Sequence, residues 1–369
     1  MKRLLGIAAA LFFCLWLPVL PARADYVYDE TLSELLDLGE GEMDFLPDGA
    51  DLSDPSSLTQ EGTRGFLKKA AALLVQEAQT PLRTLSLLLG VILLSALAQS
   101  LRQGQGTGTV YECICTLCAV GIISEPLIAV FERAAAVLSR TSDFMLGFTG
   151  LYGGVIAVSG GVSTAALYQG SMAVLCEVAL ELSAKLLFPL LSMCLAMSIV
   201  DAVNPAVSLA GLIGMIRKFA AWMLGLLMAG FLGMLSVQSL VTAAADRAGT
   251  KAAKYVISGF VPIVGGAVSD AYAAVLGSMG VLRSGVGLAG ILMLLSFLLP
   301  VVLSLGLYRA LVLCASAVSE LFDVPVLTRL FKNLEGVLSV GFSAAVSFSV
   351  MFIFSTAVLM LIASGAVQT

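Results

Sequence analysis

Apolar residues fill most of the chain beyond residue 84, in runs that are long enough to cross a membrane. A helix needs about 20 apolar residues to span the ~30 Å hydrocarbon core of a bilayer. Seven runs predict membrane spans, at residues 84–101, 110–131, 144–167, 172–200, 219–241, 286–308 and 338–363. A shorter helix is predicted at 309–321. Together with the interrupted stretch between residues 230 and 290, the pattern predicts an all-α polytopic membrane protein with about seven to nine hydrophobic helices.

The first 24 residues have the pattern of a cleavable secretory signal peptide. Lys2 and Arg3 precede an apolar core at residues 4–17, and Ala-Arg-Ala at 22–24 supplies the small residues of a cleavage site. The alternative is a first anchoring helix that is never cleaved. In either case the segment that follows is expected outside the cytoplasm.

Two polar segments precede the first predicted span. Residues 25–63 carry twelve carboxylates and no Lys or Arg, which predicts an acidic extracytoplasmic tail that is either solvated or a docking segment for a partner. Residues 64–83 have the pattern of an amphipathic helix that lies in the membrane interface. Pro81 is expected to separate this helix from the first span, so that a multi-span membrane domain covers residues 84–369.

The apolar pattern is interrupted between residues 230 and 290. Asp246, Arg247, Lys251, Lys254, Asp270 and Arg283 bring charges into this stretch, around Pro262 and the pair Gly265 and Gly266. Non-helical backbone at membrane depth is tolerated only where protein or a water-filled cavity covers it. The sequence therefore predicts a broken or re-entrant helix, the alternative being an ordinary span with a kink. Pro262, Gly265, Gly266 and Asp270 are candidate residues for conduction or packing.

A charged stripe occurs in the predicted span at 172–200. Glu177, Glu181 and Lys185 recur with a spacing of four, so they share one face of a helix. One interpretation is an ion or proton pathway; the other is an internal pair between Glu181 and Lys185 that packs against neighbouring helices. Pro189 is expected to kink this helix.

A glycine pair in the preceding span is a further candidate. Gly160 and Gly161 are followed by small and hydroxyl-bearing residues. Such a run permits close packing between membrane helices, and it equally fits a broken helix that lines a site. The two glycines are therefore candidate packing or conduction residues.

Composition restricts the chemistry of the protein. The chain is 59% hydrophobic and 12% charged, about half of the ~25% charge of soluble domains. It has no His, which removes His-dependent nucleophile pairs and the HExxH zinc motif. No Gly-Lys dipeptide occurs, so no phosphate loop is expected, and no basic stripe predicts binding to nucleic acid. Asp201 precedes Asn204-Pro205 and is interpreted as the end of a span.

The positions of the cysteines also argue against a metal site. Cys113, Cys115 and Cys118 are close in sequence, but neighbouring positions on a helix turn by about 100° each, so Cys113 and Cys115 point apart. The sequence therefore predicts a non-enzymatic protein with no cofactor and no metal.

Several runs of the chain resemble the stage III sporulation protein AE family. They are FLG at 231–233, SVQS at 236–239, AAKY at 252–255, VPIVGG at 261–266, DA at 270–271, GVG at 285–287 and GGVSTAA at 160–166. The signal peptide, the amphipathic stretch and the multi-span layout agree with this family as well. The resemblance therefore covers essentially the whole chain, although the acidic tail matches no pattern of the family.

The resemblance implies a membrane component of the sporulation channel between mother cell and forespore. The implied location is the mother-cell membrane around the forespore, with the N-terminal tail in the intermembrane space. The implied partners are the other stage III A proteins, which include a separate cytoplasmic secretion-type ATPase and ring-forming subunits. The implied role is to support late forespore gene expression and spore formation. The alternative function is a self-contained secondary transporter that uses Glu177, Glu181, Lys185 and Asp270.

Overall fold

The structure, a computed structural model, describes residues 62–100, 107–158, 162–203, 208–260 and 265–365. For 237–260 and 265–284 it describes the helical backbone but not the surroundings of the side chains. The predicted signal peptide and nearly all of the acidic tail lie outside the described residues, as do Gly160, Gly161 and Pro262.

Long helices make up almost all of this described part. They are α1 (Gly62–Ser100), α2 (Thr107–Val158), α3 (Val162–Leu180), a π-helix (Glu181–Leu187), α4 (Phe188–Val203), α5 (Ala210–Phe260), α6 (Gly265–Leu321) and α7 (Pro325–Gly365). No strand occurs within the described ranges. The prediction of an all-α fold is thus confirmed.

Six helical stretches are long and apolar enough to cross a membrane. They are Lys68–Ser100, Tyr111–Ala157, Ala165–Val203, Ala210–Ser236, Gly285–Leu321 and Pro325–Val358. The predicted class of multi-span membrane protein agrees with these stretches. The predicted total of seven to nine helices is not confirmed by the six that the described residues contain.

Helix α2 contains residues from two stretches that the sequence predicts as separate membrane spans. The predicted spans at 110–131 and 144–167 were divided by a charged segment, but α2 runs without interruption for 52 residues. Ala134, Leu138 and Thr141 of this segment are buried, so it remains helical because one of its faces belongs to the core. At about 1.5 Å per residue such a helix is ~78 Å long, more than twice the thickness of a bilayer core. It must therefore tilt strongly or extend beyond the membrane.

The boundary expected at Pro81 is absent. Pro81 lies inside α1, which joins the predicted amphipathic helix to the first span without a break. The ring removes one backbone N–H donor, so the carbonyl of Glu77 loses its helical partner. Membrane helices tolerate such a loss where neighbouring groups cover the freed carbonyl. Pro81 is buried at the contact with other helices, and this environment explains why the prediction was wrong.

Pro189 acts on the helix through a π-helical segment. The seven residues Glu181–Leu187 adopt this wider helix, at whose end the Phe188 N–H donates to the Ser183 carbonyl. Since Pro189 has no N–H, the regular α ladder cannot continue through it. The sequence predicts a kink at Pro189; what the structure has is a local widening of the helix over the seven residues before Phe188.

A tight connection joins α6 to α7. The N–H of Val324 donates to the Ser319 carbonyl at 3.0 Å, and the Asp323 N–H donates to the Glu320 carbonyl at 3.1 Å. Asp323 itself has a left-handed backbone with φ of 52°. These features define a Schellman-type helix end, with Asp323 at the position that usually carries Gly. The buried side chain of Val324 anchors the turn in the core, so α6 and α7 form an antiparallel hairpin.

A continuous core runs along the bundle. Helix α6 packs against α7, α1 and α2, and α2 also packs against α3. On α2, Phe144, Phe148 and Tyr152 stack in a row, with ring centroids 5.8 and 5.4 Å apart, and Phe297 of α6 meets Phe144 edge-on at 5.4 Å. This aromatic row fixes how α2 lies on α6.

Candidate functional site

A polar cleft lies where α1, α2 and α6 meet. It has a volume of about 550 Å³. We term this site the polar cleft. It is lined by Gln76, Glu77, Thr80, Pro81, Glu125, Pro126, Ala129, Val130, Arg133, Ser304 and Tyr308. On each of α1 and α2 the lining residues recur every three or four positions, so each helix turns one polar stripe toward the cleft.

Two prolines inside helices contribute to this cleft. Pro81 of α1 and Pro126 of α2 both line it. Each proline lacks an N–H, so the carbonyls of Glu77 and Ile122 have no partner in their own helix. Freed carbonyls of this kind are stable where water or polar groups reach them. The polar lining of the cleft therefore explains how two prolines are tolerated inside these helices.

An ion pair connects α1 and α2 across the cleft. Arg133 donates from Nη1 to Glu77 Oε2 at 3.1 Å and from Nη2 to Glu77 Oε1 at 2.8 Å. The Arg133 side chain is 48% exposed and that of Glu77 15%. The two parallel hydrogen bonds give the fork geometry that only Arg among the basic side chains provides. The pair therefore fixes the register between two helices that are otherwise mainly apolar.

Glu125 lies on the same stripe of α2, about two turns before Arg133, and has a different environment. It is exposed, and it makes no ion pair within the described part of the chain. The cleft thus offers one unpaired carboxylate next to an already neutralised Glu77–Arg133 pair. Such a lining can hold water and polar or cationic groups.

Charged residues continue from the cleft toward α7. Arg309 follows Tyr308 on α6, and its Nε donates to Glu335 Oε1 of α7 at 3.2 Å. The guanidinium also lies over the ring of Phe342, 5.8 Å from the centroid. A cation above an aromatic face is stabilised by the ring quadrupole. Arg309 is thereby held by two groups of α7.

Two neighbours of Glu335 link α7 to α4 and α5. Asn333 Nδ2 donates to Asp201 Oδ2 at 3.1 Å, and the other Asp201 oxygen accepts from the Leu209 N–H at 2.7 Å. Gly336 lies against the guanidinium of Arg217, which occupies the space where a Cβ would be. The Arg217 Nε is buried without a hydrogen-bond partner in the described chain.

These contacts form a set of polar side chains between the helices. We term it the polar belt, and it consists of Glu77, Arg133, Asp201, Arg217, Arg309, Asn333 and Glu335. Residues 333–336 of α7 are its centre, since they contact α4, α5 and α6. Charges inside an apolar bundle usually face one another or a wet cavity. The two ion pairs of the belt follow this rule, whereas the buried Nε of Arg217 has no partner in the described chain. The polar contacts of the belt join helices whose other contacts are mainly apolar.

The predicted stripe of Glu177, Glu181 and Lys185 is not part of the belt. All three side chains are exposed. Lys185 Nζ forms an ion pair with Glu181, although both side chains lie on the outside, 66% and 49% exposed. The stripe therefore does not line an enclosed pathway within one chain. Its partner would have to come from elsewhere.

The other candidates of the sequence lie at the start of α6. Gly265 and Gly266 are its first two residues, and Asp270 follows in the second turn. The chain is helical up to Phe260 and again from Gly265; residues 261–264 lie outside the described residues, so the predicted interruption there stays a prediction. Whether these residues take part in conduction or packing remains a prediction.

The described residues show no metal site. No group of three or more Cys, Asp or Glu in the searched part of the chain is arranged to hold an ion. Cys113 and Cys118 are exposed on α2, and Cys115 between them is half-buried. This arrangement follows from the helical rotation between neighbouring positions.

Sequence reasoning missed the residues of the polar belt. Glu77 falls within the predicted interfacial helix at residues 64–83, and Arg133, Arg309 and Glu335 are not among the candidates that the sequence predicts. A signal was present, because an isolated charge in a long apolar helix usually has a partner of opposite charge. The two residues of each ion pair are 56 and 26 positions apart in the sequence, so only the fold shows which charges pair with each other.

Comparisons with known proteins assign the chain to a family. A sequence model described as "Stage III sporulation protein AE (spore_III_AE)" matches residues 58–364. Stage III sporulation protein AE of Bacillus subtilis (strain 168) is 26% identical over 269 residues, which are 73% of this chain and 67% of the relative. No solved structure matches the chain. The matched range includes all seven α-helices apart from the last residue of α7.

Proposed function

We propose, since the chain belongs to the stage III sporulation protein AE family, that it is a multi-pass membrane subunit of the complex that links mother cell and forespore. In this proposal it has no catalytic activity of its own and supports late forespore gene expression and spore formation. The observation that carries the proposal is the family match over residues 58–364. This range coincides with the apolar helices, so the membrane bundle itself is the part that the family shares.

The proposed place of the protein is the mother-cell membrane around the forespore. The proposed partners are the other stage III A proteins, including a separate ATPase and ring-forming subunits. The six apolar helical stretches support an integral membrane location. The need for a separate ATPase is consistent with a sequence that contains no phosphate loop.

The polar belt supports a subunit rather than a self-contained transporter. Glu77 pairs with Arg133 and Arg309 with Glu335, so these charges neutralise one another and hold helices together. The charges that a transporter was expected to use, at Glu177, Glu181 and Lys185, lie on the outside of the bundle. A chain whose Glu77–Arg133 and Arg309–Glu335 pairs connect its own helices, and whose Glu177 carboxylate is exposed, is suited to assembly with other membrane proteins.

Deletion of the gene in its own spore-forming host tests the proposal. We expect unchanged vegetative growth, a large loss of heat-resistant spores and a loss of late forespore reporter expression. A wild-type copy supplied in trans should restore both readouts. Normal spore titres in the deletion strain would overturn the proposal.

Reconstitution provides the second arm of this test. The purified chain in liposomes is expected to move no solute down an ion gradient. Solute uptake that depends on the gradient, in the absence of other subunits, would show that the transporter interpretation is correct instead. Liposomes with the double variant Glu177→Gln and Glu181→Gln are the control for charge-dependent uptake.

A further inference from the structure

The outer surface of α3 and the π-helix carries charges among apolar side chains. Glu177, Glu181 and Lys185 are exposed there, and Val174 and Val178 are 59% and 42% exposed. Their spacing of three and four places all five residues on one side of the helix. We term this surface the charged face; within the described residues no other helix covers it.

The charged face lies far from both ends of its membrane stretch. The stretch runs from Ala165 to Val203. At about 1.5 Å per residue this stretch of 39 residues is ~58 Å long, and the ~20 residues that a bilayer core takes up at its middle include Glu177, Glu181 and Lys185. Charged side chains at membrane depth face a protein partner or a wet cavity and not lipid tails. The exposed charges therefore indicate that something other than lipid lies against this side of the bundle.

The charges of this face do not balance within the chain. Lys185 forms its ion pair with Glu181, while Glu177 makes no ion pair among the described residues. The face therefore has one surplus negative charge. A matching surface must present one positive charge opposite Glu177, because a buried carboxylate without a partner is strongly destabilising.

A second copy that binds through the same face does not supply this charge. In a two-fold contact centred on the charged face, with both copies in the same orientation in the membrane, each residue lies opposite residues of the face at its own depth, and Lys185 lies two turns, about 12 Å, away from Glu177 along the helix. Glu177 would then face Glu177, and two like charges would be buried together. The apolar neighbours Val174 and Val178, in contrast, are suited to packing against a helix. The chemistry thus favours a helix of a different protein.

We propose that the charged face binds a transmembrane helix of a different protein, whose Lys or Arg side chain pairs with Glu177. Val174 and Val178 pack against the apolar side chains of that helix, and the Glu181–Lys185 pair adds dipolar contacts beside it. The π-helix contributes because it holds Glu181 and Lys185 on the same side as Glu177; segments of this type occur frequently at functional sites. The inference rests on the proposed function in that the partner is another subunit of the same membrane complex.

Photo-cross-linking in the membranes of sporulating cells tests the proposal. A photoreactive amino acid replaces Val178 in the full chain, and adducts are identified by mass. We expect an adduct with a different protein, cross-linked within a membrane helix that contains Lys or Arg. Glu177→Lys should reduce the adduct about tenfold or more, since the charge pair becomes a repulsion. Changing the basic residue of the partner to Glu should restore it in the Glu177→Lys background.

The controls separate loss of the contact from loss of the fold. Glu132→Lys changes another exposed carboxylate, on α2 and not among the residues of the charged face, and should leave the adduct unchanged. If Glu177→Lys fails to accumulate in the membrane, Glu177→Gln serves in its place, with a smaller loss of adduct expected. Membrane levels of each variant are measured alongside.

Three outcomes overturn the docking proposal. They are an adduct between two copies of this chain, the absence of any protein adduct, and an adduct that is equally strong with Glu177→Lys. The proposed function is tested separately by the spore titre of the deletion strain. A normal titre combined with a charge-dependent adduct would overturn the function and leave the docking surface standing.

Discussion

The ring of Phe148 on α2 lies directly against the backbone of Gly290 on α6. A Cβ at position 290 would overlap the ring. The ring cannot easily move aside, because it is fully buried and stacked between Phe144 and Tyr152. One glycine in α6 therefore allows the aromatic row of α2 to come as close as it does. Close approach through glycine is a common device in membrane bundles, where apolar burial alone does not select a helix partner.

Gly290→Ala should therefore destabilise the protein. The added methyl group forces the stacked rings apart, and overpacking of this kind costs about 1–3 kcal/mol. The measurement is thermal unfolding in detergent. Gly154→Ala is the matched control, because nothing lies within 4 Å of a Cβ at this position. It should be neutral or stabilise by up to about 1 kcal/mol through helix propensity. Equal effects of the two substitutions would contradict the packing argument.

Breaking the Glu77–Arg133 pair should loosen the contact between α1 and α2. Because Arg133 is about half exposed, the expected loss for Arg133→Ala is only about 1 kcal/mol. Arg133→Lys should recover part of this loss, since it keeps the charge but not the two parallel hydrogen bonds. A double-mutant cycle with Glu77→Gln, followed by thermal unfolding, measures the interaction. Glu125→Gln, in the same cleft, is the control and should have little effect.

The apolar runs were sufficient to predict the helical class, because hydropathy and helix length are local properties of the sequence. The spacing of Glu181 and Lys185 likewise predicted residues that form an ion pair. It did not show whether the pair faces inward or outward, since this depends on where other helices pack. The same limit explains the two wrong predictions of a helix boundary, at Pro81 and in the segment between Phe131 and Phe144. Local rules predicted an interruption at both, whereas contacts with distant helices keep the chain helical.

Asp323→Gly should stabilise the hairpin of α6 and α7. Asp323 has φ of 52°, a conformation that Gly adopts without steric cost. The expected gain is a few tenths to about 1 kcal/mol in the free energy of unfolding. Asp143→Gly is the contrasting variant, because Asp143 is also exposed but lies inside α2. There the substitution should destabilise, since Gly is a poor helix former. Stabilisation by both substitutions, or by neither, would contradict the assignment of the turn.

Asp201 should contribute through hydrogen bonds that hold three helices together. Its side chain is 7% exposed and accepts from the Leu209 N–H and from Asn333. Asp201→Ala leaves both donors without their acceptor, and the expected loss is about 2–3 kcal/mol. Asp201→Asn keeps an oxygen for the Leu209 N–H and should recover part of this loss. If Asp201 is structural, spore titre should follow the thermal stability of the two variants. A spore defect as severe in Asp201→Asn as in Asp201→Ala, despite the recovered stability, would instead assign the carboxylate a role in function.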